Sequence, residues 1–574
     1  MSADDAVQLS LFAHRLSAIC EEMGAVLKRS AISPNIRDRE DFSCALFNRD
    51  GQLVAQAAHI PIHLGSMAFA MADVVGRFDW QADDVVVFND PFLGGTHLPD
   101  ITVVTPIFSQ QELIGFSAAR AHHADIGGRS PGSMGVETRL EDEGLIISPC
   151  YWFKAGEEQQ QLPQRFQQQV RAYAERLGDL AAQKAACVIG GQRLVALADT
   201  GLDDRIAALM AVSEAYGRRA IADIPDGEYC FEDVMEDDGC GSGPLPVCVR
   251  IAIAGETARV DFSGTAAQAG GPVNCPLAVT AASVLYVFRC LMPKHTPQTA
   301  AVFRPISITA PQGCLVDANA GAAVAAGNVE TSQRIVDVVL GALAKAIPDR
   351  IPAAAQGTMN NVIFGGKKGE DDWVYYETLA GGMGAHAGGD GLSTVQCHMT
   401  NTKNSSIEVL EMHYPLQVRT YQVRKGSGGK GRFNGGDGLI REWYVREDCH
   451  LSLLTERRAT APYGLQGGYS GASGKNRLCR DGVWQSLPAK GSWQLKADDL
   501  IRIETPGGGG FGVGKSKAGT TDEHREQYCT SKPALAKSPR TQRITFRLVF
   551  FVSLGVLCDF ARYCFELMAF KVNK

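Results

Sequence analysis

The chain has 574 residues with a formal net charge of -7; 45% of the residues are hydrophobic and 21% are charged. This length allows two or more domains and a large buried core, and the acidic balance offers no surface typical of polyanion binding. Nucleic acid is therefore excluded as the expected partner, whereas an enzyme is compatible with the composition.

The first region, residues 1–225, is predicted to begin with a long helix and to continue with hairpins. Apolar residues at helical spacing over 6–30 predict the helix. The stretch DFSCALFNRDGQLVAQ predicts a hairpin that turns at NRDG, and DITVVTPIFSQQELIGFSAARAHHAD predicts a second hairpin that turns at SQQE. Two further helices are predicted over 160–186 and 203–219.

The remaining chain is predicted as a central region, 226–350, and a glycine-rich β region, 351–512. The central region has two strand-like and then two helical runs, at 226–234, 246–262, 277–292 and 330–346. In the glycine-rich region the predicted strands are WVYYETL, LQVRTYQVR, LIREWYV and DLIRIET. The predicted fold class is therefore α+β, with an N-terminal helix, a hairpin-rich region, central helices and a glycine-rich β region.

The second predicted hairpin brings chemistry-bearing side chains to one end of its strands. If it turns at Gln110 and Gln111, facing residue numbers sum to about 222, and Asp100 faces His122. His97 lies three residues before Asp100 in a Gly- and Pro-rich loop, so its imidazole can reach the same end. Two imidazoles and a carboxylate that converge are typical of a site for Zn, Mn or Fe, in which an open position would hold a reactive water.

Several alternatives stay open around this constellation. A His-x-x-Asp pair is also typical of a turn with local hydrogen bonds. Asp41, which begins the first hairpin, is a candidate fourth ligand, and His59 would lie roughly opposite it. His123 points to the other face of the strand from His122 and replaces it only if the register differs by one residue.

A second polar cluster lies in the glycine-rich region. Its glycines would let the backbone approach a ligand, and a loop with scattered surface polar residues is the alternative interpretation. The candidate side chains are Glu377, His386, Asp390, His398, Asn401, Asn404 and Glu408.

Two stretches imitate nucleotide-binding motifs. GSGGKG at 426–431 matches G-x-G-x-x-G, and GGGGFGVGKS at 507–516 contains G-x-x-x-x-G-K-S. Both motifs require a helix whose N-terminus meets the phosphates. The first is followed by more glycine and a strand, and the second by KAGTTDEHREQ, which lacks an apolar face. Neither is expected to bind a nucleotide.

The cysteines and the chain ends predict a cytoplasmic protein without a membrane span. The 16 cysteines include no C-x-x-C pair, which is typical of reduced, buried thiols. The N-terminal MSADDAVQLSLFAHRL lacks the basic start and apolar core of a secretory signal. The apolar run 544–570 is interrupted by charges, and its uncharged part, 548–558, is too short to cross a bilayer.

Long ordered motifs resemble the hydantoinase B family, which includes the B subunits of N-methylhydantoinase and of bacterial 5-oxoprolinase, and the related alpha subunit of acetone carboxylase. The similarity covers about residues 5–512. The matching stretches are SPNIRDREDFSCALFNRDGQLVAQAAHIPIHLGSM, NDPFLGGTHLPDITVVTPIF, ARAHHADIGG, GNVETSQRIVDVVLGAL, ETLAGGMGAHAGGDG, NTKNSSIEVLEMHYP and TPGGGGFG.

The resemblance implies a hydrolase that works with a partner. An A subunit of the actin-like ATPase type would bind ATP and phosphorylate a small cyclic amide, either a lactam or a hydantoin. The B subunit resembled here would then hydrolyse the activated intermediate at a bound zinc or manganese ion. Carried over singly, the family's metal ligands fall on Asp41, His97, Asp100 and His122.

Three further expectations accompany this one. Asp125, three residues beyond His122, is a candidate that orients a ligand or acts as a base, with a plain hydrogen bond as the alternative. A carboxylase component of the acetone carboxylase type and a non-catalytic scaffold with a structural metal are the alternative functions. GGGGFG is expected to form a closing turn, and residues 513–574 depart from the family pattern and are expected to be a tail on which function does not depend.

Overall fold

The computed structural model describes residues 3–57, 60–369 and 371–514. Its helices and sheets form an α+β fold, as predicted from the sequence. None of the helices in these three ranges is long and apolar enough to cross a membrane. The predicted tail lies almost entirely outside the described residues.

The first sheet is built from seven strands: β1 (Phe42–Asn48), β2 (Leu53–Gln56), β3 (Val85–Phe88), β4 (Asp100–Ser109), β5 (Glu112–His122), β6 (Cys150–Lys154) and β7 (Glu157–Glu158). Their order is β2-β1-β5-β4-β3-β6-β7. The helices of this region are α1 (Ala3–Ser30), α2 (Pro34–Arg37), α3 (Ile62–Val74), α4 (Leu140–Glu143), α5 (Gln161–Gln169), α6 (Tyr173–Leu197) and α7 (Leu202–Ala222). Because α1 and α6 cover one face of the sheet and α3 covers the other, β1 is buried along its whole length.

The β4–β5 hairpin sets the register that the sequence predicted. Gln110 and Gln111 have φ of 49° and 71°, which is the positive-φ pair of a tight two-residue hairpin turn. A β-bulge at Ile114 then adds one residue to β5, so that Asp100 faces His122. Without the bulge, the two-residue turn alone would place His122 beyond the partner of Asp100. The predicted pairing is confirmed, and the bulge is the feature that produces it.

The central region contains a four-stranded sheet of order β11-β10-β9-β8, made of β8 (Gly227–Met235), β9 (Leu245–Ala254), β10 (Thr257–Asp261) and β11 (Ile306–Thr309). Its helices are α8 (Leu277–Leu291) and α9 (Ser332–Ala346), and α9 lies against β8 and β9. A π-helical turn, Gly327–Thr331, precedes α9. Short 3-10 turns lie at Val75–Arg77, Pro91–Leu93, Pro131–Ser133 and Ala300–Phe303.

The glycine-rich region forms two sheets and one short helix, α10 (Ile407–His413). The sheet orders are β13-β12-β16-β19 and β14-β15-β20-β17-β18. The strands are β12 (Asn361–Lys368), β13 (Asp371–Thr378), β14 (Leu416–Arg424), β15 (Gly438–Val445), β16 (Cys449–Leu454), β17 (Lys475–Arg480), β18 (Val483–Leu487), β19 (Lys490–Leu495) and β20 (Leu500–Glu504). Side chains of both sheets share one apolar core around Trp443.

The segment Gly507–Gly510 runs through the middle of other glycine-rich segments. Its four backbone N–H groups donate to the carbonyls of Ala472, Gly436, Ala354 and Tyr469, at 2.8 to 3.1 Å. A Cβ on Gly508 would lie 2.0 Å from the carbonyl oxygen of Met383, so glycine is required by close approach. The expected closing turn is wrong, and because these donors are occupied they cannot cradle a phosphate.

Two predicted elements differ from the structure. The helix expected over 160–186 is interrupted after Gln169, where Ala172 adopts a φ of 49°, and the second part continues to Leu197. The strand-like run 246–262 is two strands, because Gly255 with a φ of 57° turns the chain between them. The four sheets fall within the three predicted regions, and the division into domains stays a prediction.

Candidate metal centre

Three buried side chains meet where β4 begins and β5 ends. His97 Nε2 lies 3.2 Å from His122 Nδ1, and both nitrogens lie near the same oxygen of Asp100. The Asp100 Oδ1 distances are 3.3 Å to His97 and 3.2 Å to His122. Within the described residues, this is the group of histidine, cysteine and acidic side chains whose donor atoms lie close enough to share one ion.

The triangle has the dimensions of a metal-ligand set. Ligand atoms about 2.1 Å from a tetrahedral Zn²⁺ are about 3.4 Å from one another, close to the three distances observed here. Two imidazole nitrogens with one carboxylate oxygen suit Zn²⁺ and Mn²⁺. By distance and by donor chemistry, His97, Asp100 and His122 therefore fit a divalent cation.

The second oxygen of Asp100 is held by surrounding side chains. Thr96 Oγ1 donates to Asp100 Oδ2 at 2.5 Å, and Asn328 Nδ2 lies 3.4 Å from the same oxygen. His63 Nε2 is also 3.4 Å away, while its Nδ1 is 2.9 Å from Ser43 Oγ. These contacts fix the carboxylate so that only Oδ1 faces the two imidazoles, an arrangement common around bound metals.

The protonation states of the cluster suit a cation. Burial alone would raise the pKa of Asp100, but His97, His122 and His63 together hold it well below its usual range. Burial lowers the pKa of His122 more than Asp100 raises it. An ionised carboxylate beside a neutral imidazole is the form that binds metal.

Two structural supports orient the histidines. Asn89, fully buried, donates through Nδ2 to the carbonyl of Leu98 at 2.7 Å and so holds the turn that carries His97. The His122 ring stacks on Tyr376, with ring centroids 4.9 Å apart and planes at 23°. The Tyr376 hydroxyl donates to Asn361 Oδ1 at 2.9 Å. The cluster is therefore held by side chains from the first region and from the glycine-rich region of the chain.

Asp41 lies beside the cluster rather than within it. The backbone N–H of His122 donates to the Asp41 carbonyl at 3.0 Å, and the Asp41 carboxylate opposes the burial effect by raising the pKa of His122. It is not one of the three donors that meet closely, so its role as a fourth ligand stays a prediction. His59 lies outside the described residues. His123 points away, and its Nε2 is 2.9 Å from Gln183 Oε1.

Asp125 is buried in the loop that follows β5. Its Oδ1 accepts from Gly127 N at 2.7 Å, and its Oδ2 accepts from Gly132 N at 2.8 Å and from Arg171 at 3.0 Å. Burial raises the pKa of Asp125 despite these donors. These three partners belong to the surrounding loops and to Arg171 rather than to the proposed metal ligands, so the roles of Asp125 in orienting a ligand and as a base both stay predictions.

The second polar cluster does not join the first. Glu377 forms a buried ion pair with Arg441 at 3.1 Å and accepts from Asn404 at 2.6 Å. His386 Nδ1 accepts from Gly388 N at 3.1 Å. His398 is buried with a φ of 57°, and neither ring nitrogen has a hydrogen-bond partner. At least Glu377 and Asn404 therefore serve the interior of the glycine-rich region.

Sequence reasoning missed His63, Asn328, Thr96 and Tyr376, which contact the cluster from four separate segments. A signal existed for two of them, because His63 and Asn328 are polar residues within the mainly apolar stretches IPIHLGSM and VAAGNV. Nothing in the sequence placed Tyr376 against His122, since the two residues are far apart along the chain.

The sequence pattern described as hydantoinase B/oxoprolinase matches residues 5–514. An uncharacterized protein of Methanocaldococcus jannaschii is 39% identical over 518 residues, which cover 88% of this chain and 91% of that protein. A 5-oxoprolinase of Dictyostelium discoideum is 36% identical over 524 residues, 88% of this chain but 40% of its own length. The putative B subunit of a D-/L-hydantoinase from Pseudomonas sp. is 31% identical over 564 residues, 93% of this chain and 94% of its own.

Two solved structures share the fold. The ATP-dependent caprolactamase of Pseudomonas jessenii superposes with a TM-score of 0.83 at 25% identity, over 89% of this chain and 92% of that one. Nucleotide-free acetone carboxylase gives a TM-score of 0.81 at 19% identity, over 88% of this chain and 76% of that one. Since the family pattern spans nearly all the described residues and relatives above 30% identity cover most of the chain, this protein belongs to the hydantoinase B/oxoprolinase family.

Proposed function

We propose that this chain is the metal-dependent hydrolytic B subunit of an ATP-dependent cyclic amide hydrolase of the 5-oxoprolinase or hydantoinase type. One observation carries the proposal: His97, Asp100 and His122 present two nitrogens and one oxygen, 3.2 to 3.3 Å apart, inside a chain of this family. Zinc or manganese is the proposed ion, with Asp41 as the candidate fourth ligand.

The proposed substrate is a lactam or hydantoin ring, and the proposed partner is an A-type subunit that uses ATP. The names of the relatives support this class, since they include a 5-oxoprolinase, the B subunit of a hydantoinase and an ATP-dependent caprolactamase. The chain spans 40% of the Dictyostelium 5-oxoprolinase that it matches, which supports a second component that performs the ATP-dependent step.

An unactivated ring amide resists hydrolysis, and phosphorylation of its carbonyl oxygen by the partner would make the carbon a better electrophile. A bound divalent ion would supply a Lewis acid and an acidified water. The chain's own residues prepare the site: Thr96 holds one oxygen of Asp100, and the Ala325 carbonyl lies 3.4 Å from His97 Nδ1. Asp125 enters the proposal as a residue that orients the loop after His122.

The proposal is tested by purifying the chain with and without its A-type partner. Bound metal is measured by elemental analysis, and ring opening is measured with and without ATP on 5-oxoproline, a hydantoin and a larger lactam. The wild type should contain about one ion and open one ring class only with ATP and the partner. His97→Ala and Asp100→Ala should abolish both, while the exposed His413→Ala should change neither.

Other outcomes select the alternatives. Acetone- and bicarbonate-dependent ATP consumption without ring opening would favour a carboxylase component, for which the fold alone is the supporting observation. A tightly bound ion whose removal unfolds the chain, without any ATP-dependent turnover in the complex, would favour a structural metal. Wild-type protein without metal would refute the hydrolytic mechanism.

A further inference from the structure

Glu143, at the end of α4, carries a buried carboxyl group that accepts hydrogen bonds from the backbone of a distant segment, residues 324–328. Its side-chain Oε1 accepts hydrogen bonds from the N–H groups of Val324 and Ala325, both at 2.9 Å. Its Oε2 is buried and makes no hydrogen bond. Burial raises the pKa of Glu143 to about 8, so the group is mainly neutral at pH 7.

The segment 324–328 makes two contacts with the metal cluster. The carbonyl of Ala325 lies 3.4 Å from His97 Nδ1. Three residues later, Asn328 Nδ2 lies 3.4 Å from Asp100 Oδ2. His97 and Asp100 therefore both contact the segment 324–328, whose first two N–H groups donate to the Glu143 side chain.

The contact with Ala325 determines which nitrogen of His97 is available. A carbonyl oxygen can only accept, so the hydrogen bond requires the proton on Nδ1, and the lone pair then lies on Nε2. This is the nitrogen that faces His122 and Asp100. A displaced carbonyl would free the ring to turn and to adopt the other tautomer.

We propose that Glu143 is a positioning residue for the metal site, which acts through the 324–328 segment to fix the tautomer of His97 and the orientation of Asp100. The inference rests on the proposed metal-dependent function. Glu143 contacts neither the ligands nor the ion, and its effect passes through Ala325 and Asn328.

The test compares metal affinity in four folded proteins: wild type, Glu143→Gln, Glu143→Asp and Glu236→Ala. Glutamine keeps an oxygen for both N–H groups, whereas aspartate is shorter by one methylene and cannot reach as far. Glu236 is the matched control, because it also accepts backbone N–H groups, from Arg458, Ala459 and Thr460, in another part of the molecule.

Mn²⁺ binding is followed by electron paramagnetic resonance of the free ion, and Zn²⁺ binding by competition with a chelator. His97→Ala supplies the background, because 16 thiols also take up zinc. We expect Glu143→Asp to weaken binding about 10- to 100-fold, the usual effect of removing an outer support. Glu143→Gln should stay within about threefold of wild type, and Glu236→Ala should bind normally even where its Tm is lower.

Equal affinity in wild type and Glu143→Asp would overturn this inference while leaving the proposed function intact. An equal loss in Glu143→Asp and Glu236→Ala would also overturn it, because general destabilisation would then explain the effect. Wild-type protein that binds neither ion above the His97→Ala background would refute the proposed function, and this inference with it.

Discussion

Two buried polar clusters in this protein differ in how far the charges of their own side chains compensate one another. The ionic cluster, between the central and glycine-rich regions, contains three acids and three bases: Asp233, Asp337, Glu456, Arg334, Arg457 and Lys490. The metal cluster contains one carboxylate, and the hydrogen-bonding neighbours of that carboxylate, Asp100, carry no fixed positive charge.

This difference predicts a structural role for the ionic cluster and a ligand-binding role for the metal cluster. In the ionic cluster Arg457 bridges Asp233 and Asp337 at 2.6 Å each, and Arg334 bridges Asp233 and Glu456 at 2.9 and 3.1 Å. The charges of these six residues balance, and the partly exposed Asp237 lies 3.7 Å from Lys490 at the edge of the cluster. In the metal cluster, three donor atoms point at one another; the buried Arg120 acts on Asp100 electrostatically but directs its hydrogen bonds to Thr102, Ser66 and Gly94, so the three donors stay available to a cation. Removal of a member should therefore affect folding in the first cluster and ligand binding in the second.

The largest effect is expected from Glu456→Ala. This change removes one partner of both Arg334 and Lys490; Arg334 keeps Asp233, whereas the buried Lys490 keeps only the partly exposed Asp237, 3.7 Å away, as an ion-pair partner among the described residues. Breaking a buried pair by removing one member costs about 3 to 5 kcal/mol of unfolding free energy. Urea denaturation of the purified variant measures the loss, and a change below about 1 kcal/mol would contradict a structural role for the ionic cluster.

Glu330 connects the two clusters and should show a pH-dependent effect. Its Oε1 accepts from Asn361 Nδ2 at 2.8 Å, and Asn361 in turn accepts from Tyr376, the residue stacked on His122. Burial, with Glu456 nearby, raises the pKa of Glu330 to about 8. Between its ordinary value of 4.5 and about 8, the unfolded chain has released a proton that the folded chain retains, so stability falls as the pH rises.

Glu330→Gln should remove this penalty. The amide oxygen can replace Oε1, and the amide nitrogen replaces an oxygen that has no hydrogen-bond partner. We expect the variant to gain on the order of 3 kcal/mol over wild type at pH 8, and little at pH 4.5. Denaturation curves at both pH values measure the difference, and an equal gain or loss at the two values would show that Glu330 titrates normally.

A divalent ion bound at the metal cluster should increase the free energy of unfolding. At a free ion concentration of 100 Kd, binding to the folded state adds about 2.7 kcal/mol to the unfolding free energy. We expect this increment in wild type and in Glu456→Ala, and its absence in His97→Ala. Thermal or urea unfolding with and without added Mn²⁺ measures it. An increment that persists in His97→Ala would place the ion elsewhere.

The sequence predicted the centre of the metal cluster because that centre is local. His97 and Asp100 share one turn, and the hairpin geometry brought His122 opposite Asp100. The sequence predicts the pairing of Asp100 with His122 but not the bulge at Ile114, which no residue pattern indicates. The family resemblance separately implies the same three side chains. Local chemistry and a short hairpin are what a sequence expresses most directly.

The supports of the cluster could not be predicted for the opposite reason. Tyr376 contacts His122 and Asn328 contacts Asp100 from distant segments, while Glu143 is joined to the cluster only through the segment 324–328. Asn328 stands out in the sequence as a polar residue, but the contacts of all three residues depend on how sheets and helices of different regions meet. The same holds for the segment Gly507–Gly510, in which a turn was expected. Its glycines satisfy close approach by other segments, which only tertiary structure reveals.

The smallest effect is expected from His123→Leu, and it gives the narrowest test because His123 is adjacent to His122. Alternate residues of a strand point to opposite faces, and His123 contacts Gln183 at 2.9 Å instead of the cluster. The change leaves the buried Gln183 Oε1 without that partner, at a cost of about 1 to 2 kcal/mol. The increment from Mn²⁺ should stay unchanged, because the same Gln183 still donates to the carbonyls of both hairpin strands and holds their register. If His123→Leu abolishes the increment while His122→Leu preserves it, the ligands lie on the other face of β5. The cluster of His97, Asp100 and His122 would then not be the ion-binding cluster.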